Sequence, residues 1–599
     1  MNSNQIQRKL DDIFTMAPSL KEIILSDDSL NVKRRKFRSV LSNQLLATFD
    51  DDPSIPPLEW VLTRDAIRVF RMVLSSRSEK LAGYSFLKYI NDLLHHPDLA
   101  GLPAPSTGFF RELEHLLRGI MGKTGVYSDK IPTFIKYEGK KAARLRSADL
   151  SRMARTVDRF VDRYPCGLDE AVIGQRRLNT HRILKHFKAT DGQWDDWKWQ
   201  LAHTIGDADL LASLVKITDE EHGAVASANA HNLPFGITPY YLSLMDNETS
   251  RNRDYAIRAQ VIPSLYNVSK TVELRKDETF SQDFMLERNT SPIDGITRRY
   301  PKIVILKPFL TCPQICVYCQ RNWEVEGIHS SQAALSEEKL ERAVQWIADV
   351  PEISEVLITG GDPLMLSDAT IRKLLLRLSK IQHVERIRIG TRSLVTLPQR
   401  ITDTLVRDIS RFHVPGKREI LIITHFEHPY EVTPQAMEAT QKFRRAGISV
   451  YNQLVYTFYN SRKFEAVALR KKLRSIGVSP YYTFSTKGKE ETDDFRVPIA
   501  RLLQEQKEDA RLVPGSVRTD ETVFNVPGLG KNYLRADQHH DVISILPDGR
   551  RVLEFHPWEK KLSLVDTYIY TDVSIHDYLK RLRAGGENLS HYKTIWYYY

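Results

Sequence analysis

Cys312, Cys316 and Cys319 fall within one short stretch, IVILKPFLTCPQICVYCQRNWE at 303–324, in a chain with only four cysteines. Thiolates are soft ligands, and at the spacing C-x3-C-x2-C three of them can hold three corners of a [4Fe-4S] cube. The remaining iron then has no protein ligand, and an open metal corner is a place for a reagent to bind. A structural zinc knot is the rival reading. It needs a fourth ligand, and no second cysteine pair follows nearby.

The β-branched, apolar run at 303–310 that leads into this loop reads as a buried strand. Similar runs recur at EVLIT (355–359), ERIRIG (385–390), EILIITH (419–425), SVYNQLVYT (449–457) and VSPYYTF (478–484), with helical patterns between them. Ser336 is placed to cap a helix whose apolar face is Leu340, Ala343, Val344 and Ile347. Thr433 and Pro434 open another that Gly447 should stop. The fold class is therefore α/β, a partial (β/α)6 TIM-like barrel of six units, with its chemistry at the carboxyl ends of the strands.

The cysteine loop at the end of a first strand resembles the radical S-adenosylmethionine superfamily. The match extends through TGGDPL (359–364), GTRSLVTLPQR (390–400), THFEHP (424–429), YNQL and VPGLGK (526–531) to the lysine 2,3-aminomutase family, most of all its glutamate 2,3-aminomutase branch. That resemblance implies a [4Fe-4S] cluster on the three cysteines and S-adenosylmethionine chelated by the open iron. Gly360 and Gly361 would hold its methionine part and Asp362 would accept from its ammonium, while His425 would contact a cofactor and Gln453 would lie at the cofactor interface. It also implies pyridoxal 5′-phosphate as a Schiff base on Lys531, with Arg299 and Tyr300 of the Arg-Tyr-Pro segment near the phosphate. The family carries one more glycine before this lysine. A phosphate-cradling nucleotide loop is excluded at VPGLGK, because the Walker spacing is absent and Asn532 stands where a hydroxyl is needed.

In family members that use lysine, two aspartates hold the distal ammonium, and Lys487 and Asn525 take their places here. A second ammonium about 4 Å from Lys487 would cost roughly 4 kcal/mol at an effective dielectric near 20, whereas a substrate carboxylate is attracted. The expected substrate is L-glutamate, converted to β-glutamate, with Arg321 holding the α-carboxylate. Lys489 is the alternative by register. Lysine or another amino acid as substrate is the second reading, and a binding or RNA- or protein-modifying role through a basic amino-terminal region is a third, of another class.

With 42% hydrophobic residues over 599 positions the chain is globular and too long for one core. Four consecutive spans are expected: a helical accessory domain at 1–190, a helical lead-in at 191–302, the barrel at 303–500, and a carboxyl-terminal segment at 501–599. The last would carry Lys531, a hairpin through Pro547, Asp548 and Gly549, and an aromatic tail, and would close over the pocket. The net charge of +11 gathers in runs such as VKRRKFR (32–38), KKAARLR (140–146) and QRRLNTHRILKHFK (175–188). Solvated helix faces explain such runs more often than nucleic acid does. No apolar run is long enough for a membrane span, and the expected location is the cytoplasm, with Cys166 inert. Reduced flavodoxin or ferredoxin is the expected electron donor, and a homo-oligomer the expected assembly.

Overall fold

In the unit that carries the cysteine loop, the sheet has seven parallel strands and one short antiparallel strand. In the computed structural model, residues 3–49, 59–95, 102–127, 132–248, 250, 253–277, 281–325, 327–328, 330, 332–486, 488–536, 540–557 and 562–599 are described. The strands are β1 (Ile296–Thr297), β2 (Ile303–Phe309), β3 (Glu355–Gly360), β4 (Arg386–Gly390), β5 (Glu419–Thr424), β6 (Ser449–Tyr456), β7 (Val478–Ser485) and β8 (Glu521–Val526). Their order in the sheet is their order in the chain. β1 pairs antiparallel with β2, and every later pair is parallel. A sheet wound in one direction, with no pairing among the described residues of β2 to β8, is an open barrel. β8 makes the sheet one parallel strand larger than the six units expected.

Local chemistry explains the helices that cover it. Ser336 accepts from the Lys339 N–H and caps Glu337–Ala348, which buries Leu340, Ala343, Val344 and Ile347. Thr433 caps Pro434–Arg445, and Gly447, at φ +78°, ends it. The strands bury Val304, Leu306, Val356, Ile358, Ile387, Ile389, Ile420 and Ile422. Each such side chain contributes roughly 1.5–3 kcal/mol on leaving water.

The chain forms two compact units that are interleaved in sequence. One comprises Met1–Thr156, Val497–Leu512 and Gly528–Tyr599; the other comprises Val157–Arg496 and Val513–Pro527. The four spans read from the sequence are consecutive, and these units are not. The first unit packs a line of rings, Phe37, Phe70, Phe86 and Phe109, at centroid spacings of 5.8, 6.5 and 6.1 Å. A short strand β9 (Gly530–Tyr533) precedes a three-stranded antiparallel sheet of β10 (His540–Ile545), β11 (Arg551–Phe555) and β12 (Tyr568–Thr571). The β10–β11 hairpin turns where expected. Gly549 has φ +83°, and a Cβ there would meet the Gly108 backbone at 2.5 Å. The aromatic tail is structural: Arg551 donates to Glu112 at 2.9 Å and to the Trp596 carbonyl at 2.8 Å, and Trp596 stacks on His115 at 4.8 Å.

Part of the basic charge is used inside the fold. Lys33 is buried and donates to the Ile24 carbonyl and to Asn91, both at 2.6 Å. On helix Glu170–Phe187 of the barrel unit, Arg176 reaches Gln435 at 3.1 Å and Arg182 the Leu214 carbonyl at 2.8 Å. The run at 140–146, in contrast, is largely exposed. Cys166 is buried, and burial pushes its thiol up.

Glu465 is a strong test of the barrel unit's electrostatics. It accepts from Arg462 at 2.8 Å, from His428 at 3.1 Å and from the Tyr255 hydroxyl. Burial alone would raise its pKa; Arg462 and His428 overcome that and hold it down at about 2. A depressed carboxylate stabilises the fold above its unfolded value near 4.5 and loses that contribution as pH falls toward 2. The contribution is on the order of 3 kcal/mol at neutral pH. Glu465→Gln is expected to unfold more readily at pH 7 and to lose the acid-dependent part of the transition, measured by circular dichroism between pH 7 and 2.

Candidate active site

Because β2 to β6 run parallel, the residues that follow each of them gather at one edge of the sheet. The cysteine loop follows β2, Gly361 and Asp362 follow β3, Arg392 follows β4, and His425 and Glu427 follow β5. The loops are locked together by their backbones. The Gly361 N–H donates to the Phe309 carbonyl and the Asp362 N–H to the Thr311 carbonyl, each at 2.8 Å. A Cβ on Gly360, at φ +120°, would meet the Phe309 carbonyl oxygen at 2.5 Å, and one on Gly361 the Thr311 carbonyl oxygen at 2.1 Å. The glycine pair thus lets the turn seat directly against the residue that precedes Cys312.

The Asp362 carboxylate is engaged within the protein. Its carboxylate accepts from the Leu364 N–H at 3.0 Å, the Thr391 hydroxyl at 2.8 Å, the Arg392 N–H at 3.0 Å and the Ser393 hydroxyl at 2.9 Å. It is 3% exposed. The four lone-pair positions of a carboxylate are used by these internal donors, and Asp362 ties the β3 and β4 loops together.

All three cysteines border one cleft of about 830 Å³, counting its part open to solvent, with Phe235, Val261 and Val268 among its apolar walls. Burial pushes all three thiols up. The Arg392 guanidinium donates to Cys316 Sγ at 2.8 Å and to Glu431 at 2.8 Å, and also reaches Gln260. Tyr241 donates to the same Glu431 oxygen at 2.7 Å. With Cys316 turned onto Arg392, no three ligand side chains converge on one ion position among the described residues. The donor set nonetheless fits an iron–sulfur group: three thiols on one loop, beside a guanidinium that favours sulfur carrying negative charge.

A second cluster collects cations. Glu287 meets Arg299 at 3.1 Å, Arg321 at 3.2 Å and Lys307 at 3.7 Å, and Lys307 also pairs with Glu324. Burial raises Glu287, and the two guanidinium groups more than reverse it. Three cations face Glu287 and Glu324, and the charge of buried Asp283 also acts on Arg299. Arg299 Nε is buried with no hydrogen-bond partner in the protein. That orphaned donor, on a guanidinium, fits a phosphate or a carboxylate. Arg299 and Arg321, singled out separately in the sequence, are brought together here through Glu287.

The other expected site residues lie on separate elements. The His425 ring is bonded to the backbone of Gln453 on β6 and stands 3.9 Å from Glu427. Burial and Arg392 push His425 down to about 4, so its imidazole is neutral at physiological pH. Asn525 is half-buried on β8, and Tyr300 is half-buried just ahead of β2. Lys487 lies outside the described residues. Lys489 is committed elsewhere, to Glu491 at 2.8 Å and to Asn322. Lys531 begins β9 in the other unit, after Gly528 and Gly530 at φ +71° and +83°. Arg392, Glu431, Gln260 and Glu427 were missed. Arg392 and Glu427 lie inside segments matched to the family, and a charged residue just beyond a strand's carboxyl end was the available signal.

The radical SAM superfamily model matches residues 306–470. An uncharacterized KamA family protein of Methanocaldococcus jannaschii is 42% identical over 98% of this chain and 97% of its own length. Glutamate 2,3-aminomutase of Clostridioides difficile is 33% identical over 60% of this chain and 79% of its own. This chain belongs to the lysine 2,3-aminomutase (KamA) family. L-lysine 2,3-aminomutase of Clostridium subterminale is 32% identical over 61% of this chain and 85% of its own. The two named aminomutases thus match about three-fifths of this KamA-family chain, whereas the archaeal relative matches nearly all of it. Membership of a radical SAM aminomutase family implies S-adenosylmethionine and a [4Fe-4S] cluster. No helix among the described residues is long and apolar enough to cross a membrane.

Proposed function

We propose that this protein is a radical SAM, pyridoxal phosphate-dependent 2,3-aminomutase that moves the amino group of L-glutamate from the α- to the β-carbon. The observation that carries the reading is the cysteine loop at the carboxyl edge of an open barrel, beside a buried cluster in which Arg299 keeps an unpaired Nε. When bound, the cluster and S-adenosylmethionine supply one-electron bond cleavage, and pyridoxal phosphate supplies a conjugated acceptor for the migrating nitrogen.

The chain's own residues supply position and charge. Cys312, Cys316 and Cys319 hold three irons. Gly360 and Gly361 let the backbone come close to the methionine part of S-adenosylmethionine, and His425 and Gln453 line its place. Arg299, with Tyr300 beside it, takes the phosphate through the free Nε, and Arg321 takes the substrate α-carboxylate. Either anion competes for guanidinium hydrogen bonds that Glu287 now receives. Lys531 would hold pyridoxal phosphate through its amine. Lys487 attracts the distal carboxylate, and Asn525 adds a donor. With Lys489 neutralised by Glu491, Lys487 is the lysine of that loop left to this role. The expected setting is the cytoplasm with reduced flavodoxin or ferredoxin as donor.

The test offers L-glutamate, L-lysine and L-aspartate to anaerobically reconstituted protein and reads products by NMR. β-Glutamate alone is the expected product, and lysine turnover would overturn the charge argument. Lys487→Asp is expected to lower kcat/KM for glutamate by about 100-fold or more, the cost of exchanging attraction for repulsion.

A further inference from the structure

One polar side chain of the cysteine loop is buried with nothing to bond. Gln314 lies midway between Cys312 and Cys316 and is 3% exposed. Among the described residues neither its amide Nε2 nor its Oε1 has a hydrogen-bond partner. A buried polar group left in that state costs roughly 1–3 kcal/mol, and nearly all such groups in native proteins are bonded. An apolar side chain of the same length would fill the position without that cost. The amide therefore points to a partner that the chain does not itself supply.

The cleft says where that partner sits. Gln314 lines the same cleft that all three thiols border. Other donors of the loop are already occupied. The N–H groups of Ile315, Val317 and Cys319 donate to the carbonyls of Gly236, Gln260 and Cys316 at 3.0, 2.9 and 3.2 Å. They fasten the loop to its surroundings and are not available to a sulfur in the cleft. Arg392 is divided among Cys316, Glu431 and Gln260. Gln314 Nε2, by contrast, has both of its hydrogens to give.

We propose that Gln314 donates from Nε2 to a sulfur of the iron–sulfur group and thereby raises its reduction potential. The proposal rests on the radical SAM reading of the site. Sulfur gains negative charge when one electron arrives from the protein reductant, so an N–H bonded to it stabilises the reduced state more than the oxidised one. Gln314 does this as a neutral donor, without changing the net charge set by the thiolates and Arg392. Oε1, at the other corner of the amide, is left to water from the open part of the cleft.

The test uses the full chain, with and without its reconstituted cluster, in the absence of S-adenosylmethionine. Gln314→Met keeps the length of the side chain and removes both unpaired atoms. In the loaded protein, a redox titration followed by electron paramagnetic resonance should show the midpoint potential lowered by about 59 mV, a tenfold change in the one-electron equilibrium. Protein made with glutamine carrying ¹⁵N at the amide should show a ¹⁵N hyperfine coupling to the reduced cluster, which Gln314→Met removes. Gln314→Asn, with the donor on a shorter arm, should recover part of the potential. In cluster-free protein Gln314→Met should melt at or above the wild-type temperature, because two buried unpaired atoms are gone; a purely structural role predicts a lower one. An unchanged potential, an unchanged ¹⁵N coupling, or a lower melting temperature of the cluster-free variant overturns the assignment of Gln314 and leaves the radical SAM reading intact. A wild-type protein that takes up no cluster overturns both.

Discussion

Lys531→Ala is expected to abolish amino-group migration, by about 10⁴-fold or more, and to remove the visible absorption band of lysine-bound pyridoxal phosphate. On the proposed function the effect is large because the amine would be the covalent anchor of the group that accepts the migrating nitrogen. Geometry supports the choice of lysine. Gly528 and Gly530 both adopt left-handed backbone, at φ +71° and +83°, on either side of Leu529, which is buried. A Cβ on Gly528 would meet Val565 at 2.9 Å. The turn therefore delivers Lys531 in one defined direction at the start of β9. Lys531→Arg separates charge from chemistry. It keeps the cation and the length, and should lose the band just as completely. A band that persists in Lys531→Ala would place the cofactor on another lysine.

Gly361→Ala is expected to have the next largest effect, and on the cluster rather than on the chemistry. The added Cβ would meet the oxygen, carbon and nitrogen of the Thr311 backbone at 2.1, 2.5 and 2.6 Å. No rotamer relieves a clash with backbone, so Thr311 has to move and Cys312 moves with it. Overpacking of this kind costs roughly 1–3 kcal/mol or more. Iron bound per chain after anaerobic reconstitution should fall by about half or more, and the melting temperature by several degrees. Gly515→Ala is the matched control, since a Cβ there meets nothing within 4 Å. Normal iron content in Gly361→Ala would show that the loop accommodates the shift.

The local parts of this fold were legible in the sequence because their causes are local. Six β-branched runs became strands within a residue or two of their expected ends, and Ser336, Thr433 and Gly447 cap or stop the helices they were expected to. β8 escaped because ETVFNV carries no partner information of its own; its neighbour β7 lies on the far side of helix Ile499–Leu512. The grouping of the units rests on pairs such as Glu112 with Arg551, whose meeting has no signature near either residue. At the site, spacing picked out the cysteines, but the network around Cys316 is assembled from Gln260, Arg392 and Glu431 on separate elements. The filled lone pairs of Asp362 are a property of packing, and no motif reports them. Charge runs misled for the same reason: the role of Lys33 or Arg182 depends on which carbonyl it reaches.

The interleaving of the two units sets an order on synthesis. A ribosome releases Met1–Thr156 first, yet the sheet and tail that complete that unit lie after Gly528. Until Arg551 emerges, Glu112 has no counter-charge, and the faces that later receive Trp596 and Tyr597 stand bare in water. The early helices must wait, exposed, while about 370 residues pass through the exit tunnel, so nascent chains should depend on holding chaperones. Moving Gly528–Tyr599 to the amino terminus by circular permutation would shorten that wait.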